Sequence, residues 1–395
     1  MSSMEWPWKE ASSLIITCGG SVTDKVNRNV PKIPVAPGVR TSCDYRIMMV
    51  KRSGMSSFMA SAYVFPGGMV EVADYSPKWW HVFETLGLTR TDLEVFSTCV
   101  VGSRPPMITN PIVINNAKRG TSESVDFLPA DIALRIAAIR ETFEETGVLL
   151  LTQTPSISLL SEKSRSLVPV SDLDNINVDL TEWREKVAKN PDAFLDLCLQ
   201  TGLCPDLWSL YEWCNWLTPI SVGHRRFDAI FYICCLENEP KVVLDNSEVI
   251  SLKWCTPIEM LEEHRQEKVF LAPPQVYELS RIYNLPNFKA VQEFAHKRQR
   301  LGIERWLPVI STYSDGAISV LPGDDNYPRE PDIIGKKPIP DFPQSLEEMR
   351  AKAIHMNRLE MRGPICQTYC NMKLNCGHLS PFTYPPISTV VQSML

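Results

Sequence analysis

The sequence predicts an α/β fold built on a mixed sheet. Short apolar and aromatic runs at residues 12–17 and 45–50 read as its opening strands. A helix at about 131–146 carries an apolar stripe of Ile132, Ala133, Ile136, Ala137 and Phe143, with Gly147 just past its end. Strand-like runs at 227–235 and 249–254 then lead into a helix opened by Pro257.

The remaining elements follow in order. The proline- and glycine-bearing stretch 30–38 links the first two strands, and a third run, 63–65, leads straight into Pro66-Gly67-Gly68. Adjacent glycines let a backbone turn tightly and approach a ligand closely; a hairpin turn is the alternative reading. Residues 74–129 read as an insertion, a packed cap that starts at Trp79-Trp80 and ends in the polar loop 115–126. Asp131 is expected to cap the helix that follows. Residues 149–152 return as a strand, and 179–211 form a helical excursion with amphipathic runs at 183–187 and 193–199. Pro273-Pro274 opens a longer helix to Tyr283, after which a strand from Trp306, a turn at Asp315-Gly316 and a strand to Leu321 are expected. Beyond Tyr327 the chain is proline-rich and poor in pattern, which predicts an irregular tail with one short helix near 345–357.

The chemistry concentrates where the central helix ends, in Arg140-Glu141-Thr142-Phe143-Glu144-Glu145-Thr146-Gly147. Residues three and four apart share a helix face, so Glu141, Glu144 and Glu145 repel one another. They also sit at the helix terminus where the dipole is already negative. A divalent cation reverses both penalties, and Mg²⁺ favours one or two carboxylates plus substrate phosphate oxygens. A solvated acidic face is the alternative, disfavoured by the apolar stripe opposite and by Arg140, which can fix a carboxylate in place.

A strand ending in Gly67-Gly68, an acid six residues later at Asp74, and an Arg-Glu-x-x-Glu-Glu-x-Gly helix resemble the Nudix box of the Nudix hydrolases. Asp74 stands where the family usually has Glu. Arg140 should come eight residues after that acid, and the long stretch between them splits the box. The split box and the stretches Phe65-Pro66-Gly67-Gly68, Trp216-Leu217-Thr218-Pro219, Arg225-Arg226-Phe227-Asp228, Glu304-Arg305-Trp306-Leu307-Pro308 and Leu321-Pro322-Gly323-Asp324 are similar to the coenzyme A diphosphatase branch of the family, a peroxisomal one.

The resemblance implies an α/β/α sandwich around a mixed sheet, with a long insertion inside the Nudix box at about 75–129 and a C-terminal extension. The expected hydrolase domain spans 8–328, and 329–395 form the tail. The implied reaction is metal-dependent cleavage of the diphosphate in coenzyme A or acyl-coenzyme A, with Mg²⁺ or Mn²⁺ as cofactor. Glu141 and Glu145 are the implied principal ligands, Glu144 assists or binds a second ion, Arg140 orients Glu141, and a backbone carbonyl in Gly67-Gly68 completes the shell. Glu248, just ahead of the 249–254 strand, is one candidate base; a helix glutamate is the other. Lys51-Arg52 and Arg225-Arg226 are candidate phosphate contacts, with surface charge as the alternative reading. Elsewhere in that branch an arginine-rich signature precedes the box, and here only Lys51-Arg52 lies in that area. Trp208, Trp213 and Trp216 are expected in the core rather than against an adenine.

Composition narrows the classes. Over 395 residues, 44% are apolar and 22% charged, ordinary for a globular chain long enough to bury a full core. A net charge of −6 gives no support to a nucleic-acid partner, and no apolar run reaches membrane-span length. No secretory signal is read at the start, so the 12 cysteines are expected as reduced thiols. Cys366, Cys370, Cys376 and His378 lack the paired spacing of a zinc site. The ending Ser393-Met394-Leu395 has the small-x-leucine form read by the peroxisomal import receptor, with Met394 where a basic residue is usual. Peroxisome is therefore the expected location, and cytoplasm the alternative. Two rival functions stay open: a Nudix pyrophosphatase for a nucleotide sugar, dinucleotide or RNA cap, and a non-catalytic Nudix-like binding protein.

Overall fold

The computed structural model describes residues 7–19, 35, 38–56, 58–119, 125–153, 178–222, 225–244 and 248–384. Its first half runs β1 (Lys9–Gly19), β2 (Tyr45–Arg52), β3 (Ala62–Val64), β4 (Gly67–Met69), α1 (Trp79–Thr85), α2 (Arg90–Thr98), α3 (Pro106–Thr109), α4 (Ile112–Arg119), α5 (Ala130–Thr146), β5 (Leu151–Thr152), α6 (Leu180–Lys189), α7 (Asp192–Thr201) and β6 (Cys204–Pro205). Its second half runs β7 (Tyr211–Leu217), β8 (Phe227–Leu236), β9 (Val249–Cys255), α8 (Pro257–Arg265), β10 (Phe270–Leu271), α9 (Pro273–Tyr283), α10 (Phe288–Arg298), β11 (Arg305–Trp306), β12 (Val309–Tyr313), β13 (Gly316–Val320), α11 (Leu346–Lys352), β14 (Asn357–Arg362) and β15 (Ile365–Cys370).

β1 organises the main sheet. It runs parallel to β8 from Lys9↔Phe227 to Cys18↔Leu236, while its other edge is divided between β4 at Ala11–Ser13 and β2 at Thr17–Gly19. The strand order is β10-β3-β2-β1-β8-β7-β11, with β4 also on β1 and β9 also on β2, a mixed sheet as predicted. Leu14 and Ile16 face one layer of helices and Ile15 the other, so the unbroken apolar run of β1 reflects burial on both sides. α5 lies in the first layer, and α8, α9 and α10 pack on the opposite face. The result is the α/β/α sandwich.

The insertion explains why α5 is buried nearly all round. Trp79, Phe83, Leu93, Phe96, Met107 and Ile114 share one core with Ile132, Ile136, Ile139 and Phe143. α5 is thereby enclosed between the sheet and the inserted helices rather than docked by a single stripe. Residues 120–124 of the expected polar loop lie outside the described residues; the part up to Arg119 belongs to α4.

Three expectations are corrected. Asp131 is not the helix cap: Pro129 takes that position, and Asp131 lies buried in the first turn, ion-paired with Arg104 of the insertion. The return strand at 149–152 narrows to β5, which pairs with β6 outside the main sheet. The stretch after Tyr327 is not irregular apart from one helix: α11 forms near the expected place, and β14 and β15 join β12 and β13 in a four-stranded antiparallel sheet. Arg358 and Glu360 alternate with Leu359 and Met361 there, but both charged side chains are buried, Arg358 on Asp324 at 2.6 and 2.7 Å and Glu360 on Arg350. Buried ion pairs erase the hydropathy contrast that would have announced a strand. Tyr277 Oη donates to Asn357 Oδ1 at 2.6 Å, tying this sheet to α9.

Candidate active site

The site forms where the last turn of α5 meets β4. Gly147, at φ 72°, ends the helix as predicted, its amide donating to Phe143 O. Gly67 adopts φ 144°, and a Cβ there would stand 2.4 Å from the Ser12 carbonyl oxygen. At Gly68 a Cβ would stand 2.2 Å from Glu141 Oε2. The two glycines therefore let the chain press against β1 on one side and the Glu141 carboxylate on the other. Ser12 Oγ donates to Leu134 O at 2.7 Å, which ties β1 to α5 beneath this junction.

Arg140 is the hub of the acids. Its Nη1 donates to Glu141 Oε1 at 2.9 Å and to Glu144 Oε1 at 2.6 Å, and its Nε and Nη2 bind both oxygens of Asp74 at 2.8 and 2.9 Å. Nη2 also reaches Met69 O at 2.9 Å, fixing β4. Glu145, 4% exposed, accepts from the Gly67 amide at 2.9 Å instead. Burial pushes the Glu145 carboxyl up to about 8 against that hydrogen bond, with the Glu141 charge adding to the rise. Burial likewise raises Glu141 and Glu144, opposed by the Arg140 charge.

Three carboxylates thus share one guanidinium and a fourth takes a backbone amide, and the donor set is all oxygen, which suits Mg²⁺ or Mn²⁺. Among the described residues, no three acidic, histidine or cysteine side chains stand in a metal-holding arrangement, because Glu141 and Glu144 turn to Arg140 and Glu145 to Gly67. The residues present fit the cation.

Sequence comparison places this geometry. A family model described as the NUDT19 Nudix domain matches residues 8–282, more than half of the chain, and one described as the NUDT19 C-terminal domain matches 310–371. The chain is a Nudix hydrolase of the NUDT19 family. It is similar to proteins named acyl-coenzyme A diphosphatase NUDT19: 37% identical to that of Xenopus laevis over 95% of this chain and 96% of the relative, and 36% identical to that of Gallus gallus over 95% and 94%. The Homo sapiens protein of that name is 33% identical, over 83% of this chain and 82% of its own. A crystal structure of a Nudix hydrolase from Alicyclobacillus acidocaldarius aligns at 19% identity and a TM-score of 0.43, covering 72% of this chain and 96% of that one. As a Nudix hydrolase the protein cleaves phosphoanhydride bonds, and the family generally uses a divalent metal.

In this NUDT19-family chain the acids open onto a cleft of about 950 Å³. Ala11 and Ser13 of β1, Ala229 and Phe231 of β8, and Phe65 line it together with Gly67, Gly68, Glu141, Glu144 and Glu145. The two basic pairs are each divided. Arg52 lines the cleft and donates to Ser56 Oγ, whereas Lys51 lies over the Tyr63 ring outside the lining. Alternation along β2 separates them. Arg225 lines the cleft, whereas Arg226, 4% exposed, donates to Thr218 O and Ile333 O and lies over Trp8. Glu248 is exposed at the cleft beside β9, and its carbonyl accepts from the Ser53 amide at 2.8 Å. Trp208 and Trp213 are fully buried core; Trp216 is buried too, with an edge on the cleft. His378 is half-buried and meets the Trp213 carbonyl oxygen at 3.2 Å. Sequence reasoning quoted Asp74 as part of the box but missed it as the anchor of Arg140; the invariant need of a buried arginine for more than one carboxylate was the available signal. Among the described residues, no helix is long and apolar enough to cross a membrane.

Proposed function

We propose that the protein is a metal-dependent coenzyme A diphosphatase that cleaves coenzyme A and acyl-coenzyme A to 3′,5′-ADP and (acyl-)4′-phosphopantetheine. The observation that carries this reading is the Arg140 cluster opening onto a cleft much larger than a diphosphate, with Arg52 and Arg225 on its walls. The names borne by its NUDT19 relatives supply the substrate class.

Glu141 and Glu145 are the proposed ligands of Mg²⁺ or Mn²⁺, Glu144 assists, and the backbone at Gly67-Gly68 lies beside them. Such a cation, when bound, supplies counter-charge to the diphosphate oxygens and acidifies water. Arg140 bonds one oxygen of each of Glu141 and Glu144 and so keeps both carboxylates at the cleft. The Gly67 amide does the same for Glu145. Glu248, on the cleft wall, takes the proton from the attacking water as general base. Arg52 and Arg225 bind substrate phosphates through charge-assisted hydrogen bonds. Lys51 adds charge from outside the lining, and Arg226 positions its neighbour by holding the start of β8.

The proposed location is the peroxisome, through Ser393-Met394-Leu395 and its import receptor; these residues lie outside the described ones. The reaction is tested by incubating purified protein with coenzyme A and each metal and identifying products by mass, with Glu145→Gln as the inactive control. Products of 3′,5′-ADP and 4′-phosphopantetheine support the reading. Turnover of a nucleotide sugar, dinucleotide or RNA cap in preference to coenzyme A contradicts it, and so does binding without product.

A further inference from the structure

One wall of the cleft carries a polar group without a protein partner. Gln275 is 7% exposed and lines the cleft, and its Oε1 is buried with no hydrogen-bond donor among the described residues. Buried side-chain amides are nearly always paired, because leaving one unpaired forfeits its hydration for nothing. The backbone of Gln275 is satisfied: its amide donates to Ala272 O at 2.9 Å in the first turn of α9. Only the carboxamide oxygen is left over. Its terminal torsion is soft, so the group turns to offer either its oxygen or its NH₂ to the cleft.

The rest of this wall is mostly apolar, from Pro273 and Pro274 at the start of α9 and from the C-terminal sheet, where Ser319 of β13 is its one polar side chain. Ile310 of β12 and Met361 of β14 line the same cleft and are only partly buried. The Tyr277–Asn357 hydrogen bond at 2.6 Å makes α9 and that sheet one packed unit. The cleft therefore joins an acidic end, built for a diphosphate, to a wall that combines one carboxamide with apolar side chains.

We propose that this wall binds the amide-bearing arm of the substrate beyond the diphosphate, with Gln275 pairing a secondary amide of that arm and Ile310 and Met361 covering its apolar end. The proposal rests on the coenzyme A reading, whose pantetheine portion carries secondary amides on a flexible chain. A carboxamide donates to and accepts from such an amide, so the pairing satisfies both partners. Gln275 is then a specificity-determining residue, and the C-terminal sheet is part of the substrate site.

The test is Gln275→Met, which keeps the side-chain length and removes both polar atoms. Steady-state kinetics on coenzyme A, inhibition by 3′,5′-ADP, which lacks the arm, and thermal unfolding of the ligand-free protein are measured together. The expected result is a KM for coenzyme A raised about tenfold, the worth of one hydrogen bond, with kcat within about twofold. The inhibition constant of 3′,5′-ADP stays the same, and the unfolding temperature stays level or rises. An unchanged KM overturns the inference, whether or not the unfolding temperature falls. If Gln275→Met does not fold, Ile310→Thr decides: it is expected to raise KM for a long-chain acyl-coenzyme A several-fold more than for coenzyme A, and an unchanged ratio overturns the inference. Wild-type protein that fails to cleave coenzyme A overturns the proposed function and this inference with it. Normal wild-type turnover with unaltered variants overturns this inference alone.

Discussion

Arg140 and Asp74 stand 66 positions apart in the sequence and are joined by two hydrogen bonds of 2.8 and 2.9 Å, with both side chains buried. The insertion separates the two halves of the Nudix box along the chain, and this pair rejoins them in space. Removing the Asp74 charge leaves a buried guanidinium short of one partner. Asp74→Asn is expected to destabilise the fold by about 3–5 kcal/mol, the usual consequence of breaking a buried pair. It should also lower kcat, because Arg140 loses the anchor that aims it at Glu141 and Glu144. Chemical denaturation with parallel kinetics checks both; wild-type values for either refute the anchoring role.

Gly68→Ala separates placement of Glu141 from stability. The added methyl meets only the end of the Glu141 side chain, which can shift without disturbing the backbone. Unfolding temperature should stay within a few degrees while kcat falls by about 10²-fold, the effect of moving a catalytic group by about 1 Å. A fully active variant would show that the Glu141 position is immaterial.

Arg225 and Arg226 are adjacent in sequence and predicted to behave oppositely. Arg225→Ala should raise KM roughly tenfold with the fold intact, since the side chain lines the cleft. Arg226→Ala should instead lower stability by about 1.5–3 kcal/mol, because two backbone carbonyls lose a charged donor. Kinetics and thermal unfolding of the two variants, side by side, distinguish these roles. Swapped phenotypes would reverse the assignment.

Much of the sandwich is legible in the chain because its strands are short apolar runs and α5 carries its own stop signal at Gly147. The acid cluster is legible for the same local reason: repulsion between residues three and four apart is visible in one dimension. What sequence could not supply is set by distant partners. Asp131 looks like a cap until Arg104 arrives from the insertion, and β14 looks polar until Asp324 and Arg350 cover its charges. Lys51-Arg52 and Arg225-Arg226 read as basic pairs, yet strand pleating and the Thr218 and Ile333 carbonyls leave one member of each on the cleft.

Glu10 makes the insertion pH-sensitive. It is buried, accepts from the Ile112 and Val113 amides at the start of α4 at 2.8 and 3.1 Å, and burial raises it from its ordinary 4.5 to about 7. The folded protein therefore keeps this proton where the unfolded chain has released it. Stability should fall as pH rises from about 4.5 and level off above about 7. Glu10→Gln should remove that part of the slope, read as the difference between wild-type and variant unfolding temperatures across the range. Parallel profiles would contradict it.

The central claim is that crowded carboxylates on α5 exist to hold a divalent cation. Its most direct measurement is the anomalous difference density of a crystal grown with Mn²⁺. The account predicts a single strong peak bounded by Glu141 and Glu145, with Asp74 still clamped to Arg140. Absence of a peak, with Glu141 kept by Arg140 and Glu145 by the Gly67 amide, would contradict it.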